Sequence, residues 1–183
     1  MRERGGVPVD NVGDATAQAG DPVYVVVSTT GGDALGQART ERDGTADVWT
    51  ATPTAANATV YGLTIEFAPW DGEDGETFVL GDVTSDGSGT QTEISDAFKT
   101  LIATAPYARL RSLLSVSATG AATIVFTGTQ LGRPFIVMDT ADAGAWASIT
   151  HTTTAAQYTA LVPRARWVRP AAASAVGTIN LSR

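Results

Sequence analysis

Apolar residues in this chain come in short runs broken by glycine, threonine and acidic residues, and period two governs most of them. Residues 22–29 place Val23, Tyr24, Val25, Val26 and Val27 in succession, the pattern of a strand covered on both faces. Residues 45–51, around Val48 and Trp49, predict a shorter strand. From 59 to 67 the alternation is clean. Tyr61, Leu63, Ile65 and Phe67 fall on one side of a pleat, with Gly62, Thr64 and Glu66 on the other. A partner strand follows over 76–83, with Phe78 and Leu80 sharing a side. Further strands are predicted over 110–118, 122–127, 134–138, 145–154, 164–168 and 176–181.

One segment changes period. Thr90 and Glu93 have the spacing of a capping box, in which each side chain satisfies a free backbone N–H of a first helical turn. Ile94, Ala97, Phe98, Leu101 and Ile102 then form one apolar stripe, and Pro106 stops it. A helix over about 91–104 is expected. The fold class is therefore mainly β (α+β): a β-sandwich or barrel of short antiparallel strands with one helix packed on it. Residues 1–20, interrupted by Gly5, Gly6, Gly13 and Gly20, read as an extended N-terminal arm. Residues 21–183 read as a β-rich domain that divides into lobes 21–57 and 58–183.

Charge narrows the partners. Nineteen acidic against twelve basic residues give a net charge of −7, which disfavours a nucleic-acid partner. Lys99 is the only lysine, and arginines gather toward the two ends. There is no cysteine, hence no disulfide or thiolate metal site. Residues 1–11 contain no apolar core of a signal peptide, and no run approaches the ~20 apolar residues of a membrane helix. A soluble protein made in the cytoplasm, with no membrane partner, is expected.

Candidate chemistry is sparse. His151, the one histidine, lies in a strand-like tract and reads as a half-exposed strand residue. Asp82, Thr84, Asp86, Gly87 and Glu93 occupy positions 1, 3, 5, 6 and 12 of a calcium loop. The preceding residues read as a strand rather than a helix, and Glu93 is already a cap partner, so Asp82, Asp86 and Glu93 make a weak calcium candidate. Asp71, Glu73, Asp74 and Glu76 could supply paired carboxylates for glycoside hydrolysis, but Gly72 and Gly75 between them describe a solvated turn. No phosphate-binding glycine loop is present. No catalytic residue and no cofactor is expected. Among the tryptophans, Trp70 and Trp146 are candidates for a glycan platform, and Trp167, lying among arginines, for a subunit interface.

Residues 4–11 (RGGVPVDN) and 19–25 (AGDPVYV) resemble the start of small virion proteins of tailed bacteriophages, including capsid decoration and head components. The segment 61–65 (YGLTI), the helix over 92–104, and 122–128 (ATIVFTG) with 132–135 (GRPF) are similar to a hairpin–helix–hairpin module of phage structural proteins, tail sheaths among them. The resemblance implies a virion protein acting by subunit–subunit adhesion, decorating or stabilising the head. Copies of itself and other virion proteins, the major capsid protein foremost, would be its partners. A tail tube, sheath or connector subunit is the alternative, and a glycan-binding module on the virion surface a second. The interface candidates are Arg2, Arg4, Val7 and Val9 at one end and Arg164, Arg166, Trp167 and Arg169 at the other.

Overall fold

The computed structural model describes residues 7–181, apart from 12, 14, 32, 71, 119, 142–143, 170–171 and 173–174. The strands in chain order are β1 (Val7–Asn11), β2 (Pro22–Val26), β3 (Ala38–Arg39), β4 (Gly44–Thr45), β5 (Val48–Pro53), β6 (Val60–Phe67) and β7 (Glu76–Thr84). Two helices follow, α1 (Gln91–Ile102) and α2 (Ala108–Leu113). The remaining strands are β8 (Leu114–Ser117), β9 (Ile124–Gly128), β10 (Phe135–Asp139), β11 (Trp146–Thr153), β12 (Ala156–Gln157), β13 (Thr159–Arg169) and β14 (Ala175–Leu181). The protein is mainly β, as the periodicity predicts.

The chain forms two compact units. One comprises residues 1–45 and 157–183, and the other, residues 46–156, is inserted into its sequence. The units part at 45/46 and 156/157 rather than at the expected 57/58. The reason is that the last strands return to the first: β1 pairs antiparallel with β14, and β13 with β2. Part of the expected arm is thus a strand of a sheet.

In the outer unit the strand order is β1-β14-β13-β2-β3, and the sheet curls until Asn11 meets Ala38 in a single parallel bridge. Its core is small, built from Ala17, Val23, Ala38, Ala165, Trp167 and Ile179. Trp167, expected at an interface, is 1% exposed and sits in this core. An aromatic ring of that size is what so lean a core needs to exclude water.

The inserted unit holds a three-stranded antiparallel sheet, β10-β6-β7, and a four-stranded one, β11-β5-β9-β8. Every apolar residue of the predicted alternation in β6 is buried, and Leu63 and Ile65 face Asp139 and Val137 of β10. α1 begins on the capping box read from the sequence: Glu93 N–H donates to Thr90 Oγ1 (3.2 Å), and Thr90 N–H donates to Glu93 Oε2 (3.3 Å). Ile94, Phe98 and Ile102 enter a core shared with Tyr61, Leu80, Phe126 and Trp146. Phe98 and Trp146 have ring centroids 5.4 Å apart, and burying Phe98 contributes roughly 1.5–3 kcal/mol.

A second helix, α2, occupies the start of the segment expected to be a strand over 110–118. Leu110 and Leu113, three apart, are both buried, while Arg109 and Arg111 alternate with apolar or small residues in a way that also suits a strand. Over six residues the two periods are hardly distinguishable. Tertiary ties decide between them. Arg109 Nη2 reaches Glu76 Oε1 at 2.6 Å, and Arg111 Nη1 donates to Ile102 O at 2.8 Å and to Thr104 O at 2.5 Å, closing the C-terminus of α1.

Candidate functional site

Two buried charged side chains of the inserted unit each gather several polar partners. The first is Asp47, 0% exposed, just before β5. Its Oδ2 accepts from Phe135 N–H at 3.0 Å and from Trp49 Nε1–H at 3.3 Å. Its Oδ1 lies 2.7 Å from Ala155 N and 2.7 Å from His151 Nε2. Facing a carboxylate oxygen, Nε2 of His151 carries the proton and donates. The imidazole stacks on Trp49, centroids 4.6 Å apart and planes 13° apart, and its side chain is 34% exposed. His151 is half-exposed in a strand, as expected, but its carboxylate partner 104 positions away is not legible in the sequence. The one available signal is an aspartate flanking an apolar strand, a place where a charge needs several donors to be buried.

The second node is Arg133, 1% exposed. Its Nε donates to Ala68 O (3.2 Å), its Nη2 to Asp74 O (3.2 Å), and its Nη1 to Glu73 Oε2 (2.8 Å) and Gln130 Oε1 (2.8 Å). The guanidinium also lies over the Phe67 ring, 5.3 Å from its centroid. The acidic loop after β6 is therefore tied from within by one arginine, and Glu73 and Glu76 serve as its ion partners and those of Arg109. The hydrogen bond from Arg109 holds the Glu76 carboxyl below its ordinary range, with the charges of Arg109 and Arg133 adding to the effect. Of the four acidic residues, Glu73 and Glu76 are engaged in ion pairs, Asp74 contributes its backbone carbonyl to Arg133, and Asp71 lies outside the described residues.

The calcium candidates are used locally. Asp86 Oδ1 accepts from Ser88 N–H (2.7 Å) and from the Ser88 hydroxyl (2.9 Å), which lowers its pKa. Glu93 completes the helix cap, and Asp82 is exposed on β7. Among the described residues, no group of three or more His, Cys, Asp or Glu is arranged to hold an ion.

The remaining expected site residues are not brought together. Arg2 and Arg4 lie outside the described residues. Val7 and Val9 pair through their backbones with Ile179 and Gly177 of the same chain, so this edge is already occupied. Arg166 is exposed, with Nη1 on Ala165 O at 2.7 Å, while the side chains of Arg164 and Arg169 lie outside the described residues. Trp146 is no exposed glycan platform: it is buried, and its Nε1–H donates to Gly62 O at 3.1 Å. Trp70, half-buried, pairs with Glu73 through an isolated antiparallel bridge.

A surface missed by the sequence reading is the outer face of the four-stranded sheet. Trp49, Ala51, Ile124, Phe126 and Leu114 point to the core, so their alternates point outward. The registers align these alternates in rows, with Thr150, Thr50, Val125 and Ser117 in one, Val48, Thr127 and Ser115 in the next, and Ser148 with Thr52 in a third, which the Thr52–Thr123 hydroxyl contact extends to the residue before β9. Hydroxyls interlock across the strands, Thr52 with Thr123 at 2.9 Å and Thr50 with Thr152 at 3.3 Å. The patch carries no charge on a chain of net charge −7. With strands about 4.8 Å apart and alternate residues about 6.8 Å apart, it spans roughly 14 by 14 Å.

Comparison with protein-family models, with curated proteins and with solved structures finds no significant match to this chain.

Proposed function

We propose that this chain is a structural protein of a tailed-bacteriophage virion, one that decorates or reinforces the capsid by adhesion between subunits. The observation that carries the reading is the uncharged hydroxyl and methyl face of β11-β5-β9-β8. An acidic chain repels its copies and other acidic surfaces, except where its surface is neutral. A patch of this kind accepts a neighbour through close packing and exchangeable hydroxyl hydrogen bonds, with no ion to desolvate. Its area, roughly 200 Å², is about a quarter of the ~800 Å² per partner of a stable binary complex. Single contacts are therefore weak, and repetition on a symmetric shell supplies the avidity.

The test is binding of the purified protein to shells of its cognate phage that lack it, read by co-sedimentation. Wild-type protein is expected to sediment with the shells. The double variant Thr50→Glu, Thr150→Glu, which places like charges opposite one another on the exposed face, is expected to stay in the supernatant while keeping its circular dichroism spectrum. Equal binding by both proteins, or none by either, overturns the reading. Tubes or six-fold rings of the protein alone in negative stain would assign it to the tail instead.

A further inference from the structure

We propose that the outer face of the sheet β10-β6-β7 receives an arginine side chain of a basic partner protein, in a cavity that the Glu66 carboxylate borders. This goes beyond the virion reading and does not depend on it, since neither this face nor its test involves the hydroxyl rows of β11-β5-β9-β8.

The first observation is a cavity of about 330 Å³ at one end of this sheet. Glu66, Ala68 and Pro69 line it from the end of β6, and Pro134 and Ile136 from the start of β10. Its frame is built from paired backbone. Phe67 faces Phe135 and Glu66 faces Ile136 in register, and Ala68 N–H donates to Pro134 O at 3.3 Å. Phe67 and Phe135, which also line the cavity, stack in the core with centroids 5.2 Å apart. Two proline rings with fixed φ stiffen the walls, so the site is formed before anything enters it.

The second observation is the charge at its border. Glu66 is half-buried, and among the described residues its carboxylate has neither a hydrogen bond nor an ion pair. Its cross-strand neighbours are Ile136 and Thr77. Glu73 and Glu76 differ, being paired with Arg133 and Arg109. Arg133, which lies over the Phe67 ring, is thereby already matched. A carboxylate held against apolar walls without a partner costs free energy that an incoming cation recovers. Arginine suits the site better than lysine. Its planar fork meets a carboxylate through two parallel hydrogen bonds, its guanidinium is more weakly hydrated, and its methylene stem packs along apolar side chains such as Pro134 and Ile136.

The third observation is the apolar surface around the cavity. Ile65, Leu80 and Val137 point to the core, so their alternates Glu66, Val79, Ile136 and Met138 share the opposite face. Ile136 is 43% exposed and Val79 67%. The register sets Met138, Thr64 and Val79 in one row, next to the row of Ile136, Glu66 and Thr77. With strands about 4.8 Å apart and alternate residues about 6.8 Å apart, Val79 and Ile136 lie roughly 12 Å from each other with Glu66 between them. A free guanidinium compound would fill the cavity and leave both exposed, whereas a protein segment covers them with aliphatic residues on either side of its arginine. A second copy would bring its own Glu66 and a net charge of −7 to this face, so the complementary occupant is a basic partner.

The probes are the capped peptide Leu-Ala-Arg-Ala-Leu, its lysine and citrulline counterparts, and the single residue N-acetyl-arginine methylamide. Each is titrated into the full chain labelled with ¹⁵N. The arginine peptide is expected to shift the amide resonances of residues 64–68, 79 and 135–138. The lysine peptide is expected to bind about fivefold more weakly and the single residue about tenfold, while the citrulline peptide, which keeps the shape and loses the charge, gives no shifts. Glu66→Gln removes no bond within the fold and is expected to weaken binding about tenfold, whereas Asp96→Asn on α1, which removes the same charge elsewhere, changes it less than about twofold. The double variant Val79→Thr, Ile136→Thr keeps strand-favouring residues and is expected to weaken binding about threefold. Absence of shifts with the arginine peptide, shifts mapping away from this face, equal binding by the citrulline peptide, or equal effects of Glu66→Gln and Asp96→Asn would overturn the proposal. Equal binding by the single residue would assign the cavity to a free guanidinium compound, and self-association of the chain that Glu66→Gln abolishes would assign it to a second copy; either result overturns the basic partner.

Discussion

Asp47→Ala isolates the contribution of a buried carboxylate that joins three strands. The substitution strips the partner from two backbone donors, Phe135 N–H and Ala155 N–H, and from two side-chain donors, Trp49 Nε1–H and His151 Nε2–H. Trp49 keeps Phe135 O as an acceptor, and the half-exposed His151 can turn to water. The loss therefore falls on the two backbone groups. Each costs about 1–3 kcal/mol when left unsatisfied, and the relief of no longer burying a charge offsets part of the sum. The expected net loss is about 3 kcal/mol, a large share of a total stability on the order of 5–15 kcal/mol. Asp47→Asn keeps the shape and one acceptor, so about 2 kcal/mol is expected, and His151→Ala about 1 kcal/mol. The measurement is urea unfolding followed by tryptophan fluorescence in a Trp167→Phe background, which leaves reporters only in the inserted unit. A loss for Asp47→Ala below about 0.5 kcal/mol, or one smaller than that for His151→Ala, would refute the claim that this carboxylate holds the strands together.

Phe98→Asp places an unpaired charge where the side chain is wholly buried beside Trp146, and the inserted unit is expected to unfold, with loss of its cooperative thermal transition. Gly89→Ala would set a Cβ against Ala56 O and 2.7 Å from the Ser85 Cβ, so a destabilisation of about 1–3 kcal/mol is expected in the same urea assay. Arg133→Met keeps the apolar stem and removes four hydrogen bonds that hold the acidic loop. It is expected to cost about 3 kcal/mol and to speed amide exchange in residues 68–75. Glu76, held below its ordinary value of 4.5 by Arg109, contributes stability above that pH, and the contribution disappears as pH falls through the lower folded value. The stability difference between wild type and Glu76→Gln is therefore expected to shrink between pH 6 and pH 3, and a constant difference would contradict the pairing.

Much of the local structure is legible in the residues because it rests on interactions a few positions apart. The alternation of Tyr61, Leu63, Ile65 and Phe67 gives both the strand and its buried face. Thr90 and Glu93 set the start of α1, and the stripe from Ile94 to Ile102 the side it buries. α2 was not legible, because six residues carry too little period to separate a turn of helix from a strand and the deciding ties reach Glu76 and the end of α1. The two nodes escaped for a related reason. An aspartate, a histidine or an arginine looks the same in a sequence whether solvated or buried, and only the donors gathered around Asp47 and Arg133 make their burial tolerable.

By itself, then, the sequence determined the strands of clear period two, such as β6 and β9, where α1 begins, and the excess of negative charge on the protein. The tertiary structure alone decided that the first and last strands pair with each other, that Trp167 is core rather than surface, and that threonines and serines from four strands form one neutral face. Periodicity records which residues leave water. The partner each one meets is fixed by pairings that span up to the whole chain, and those leave no local trace.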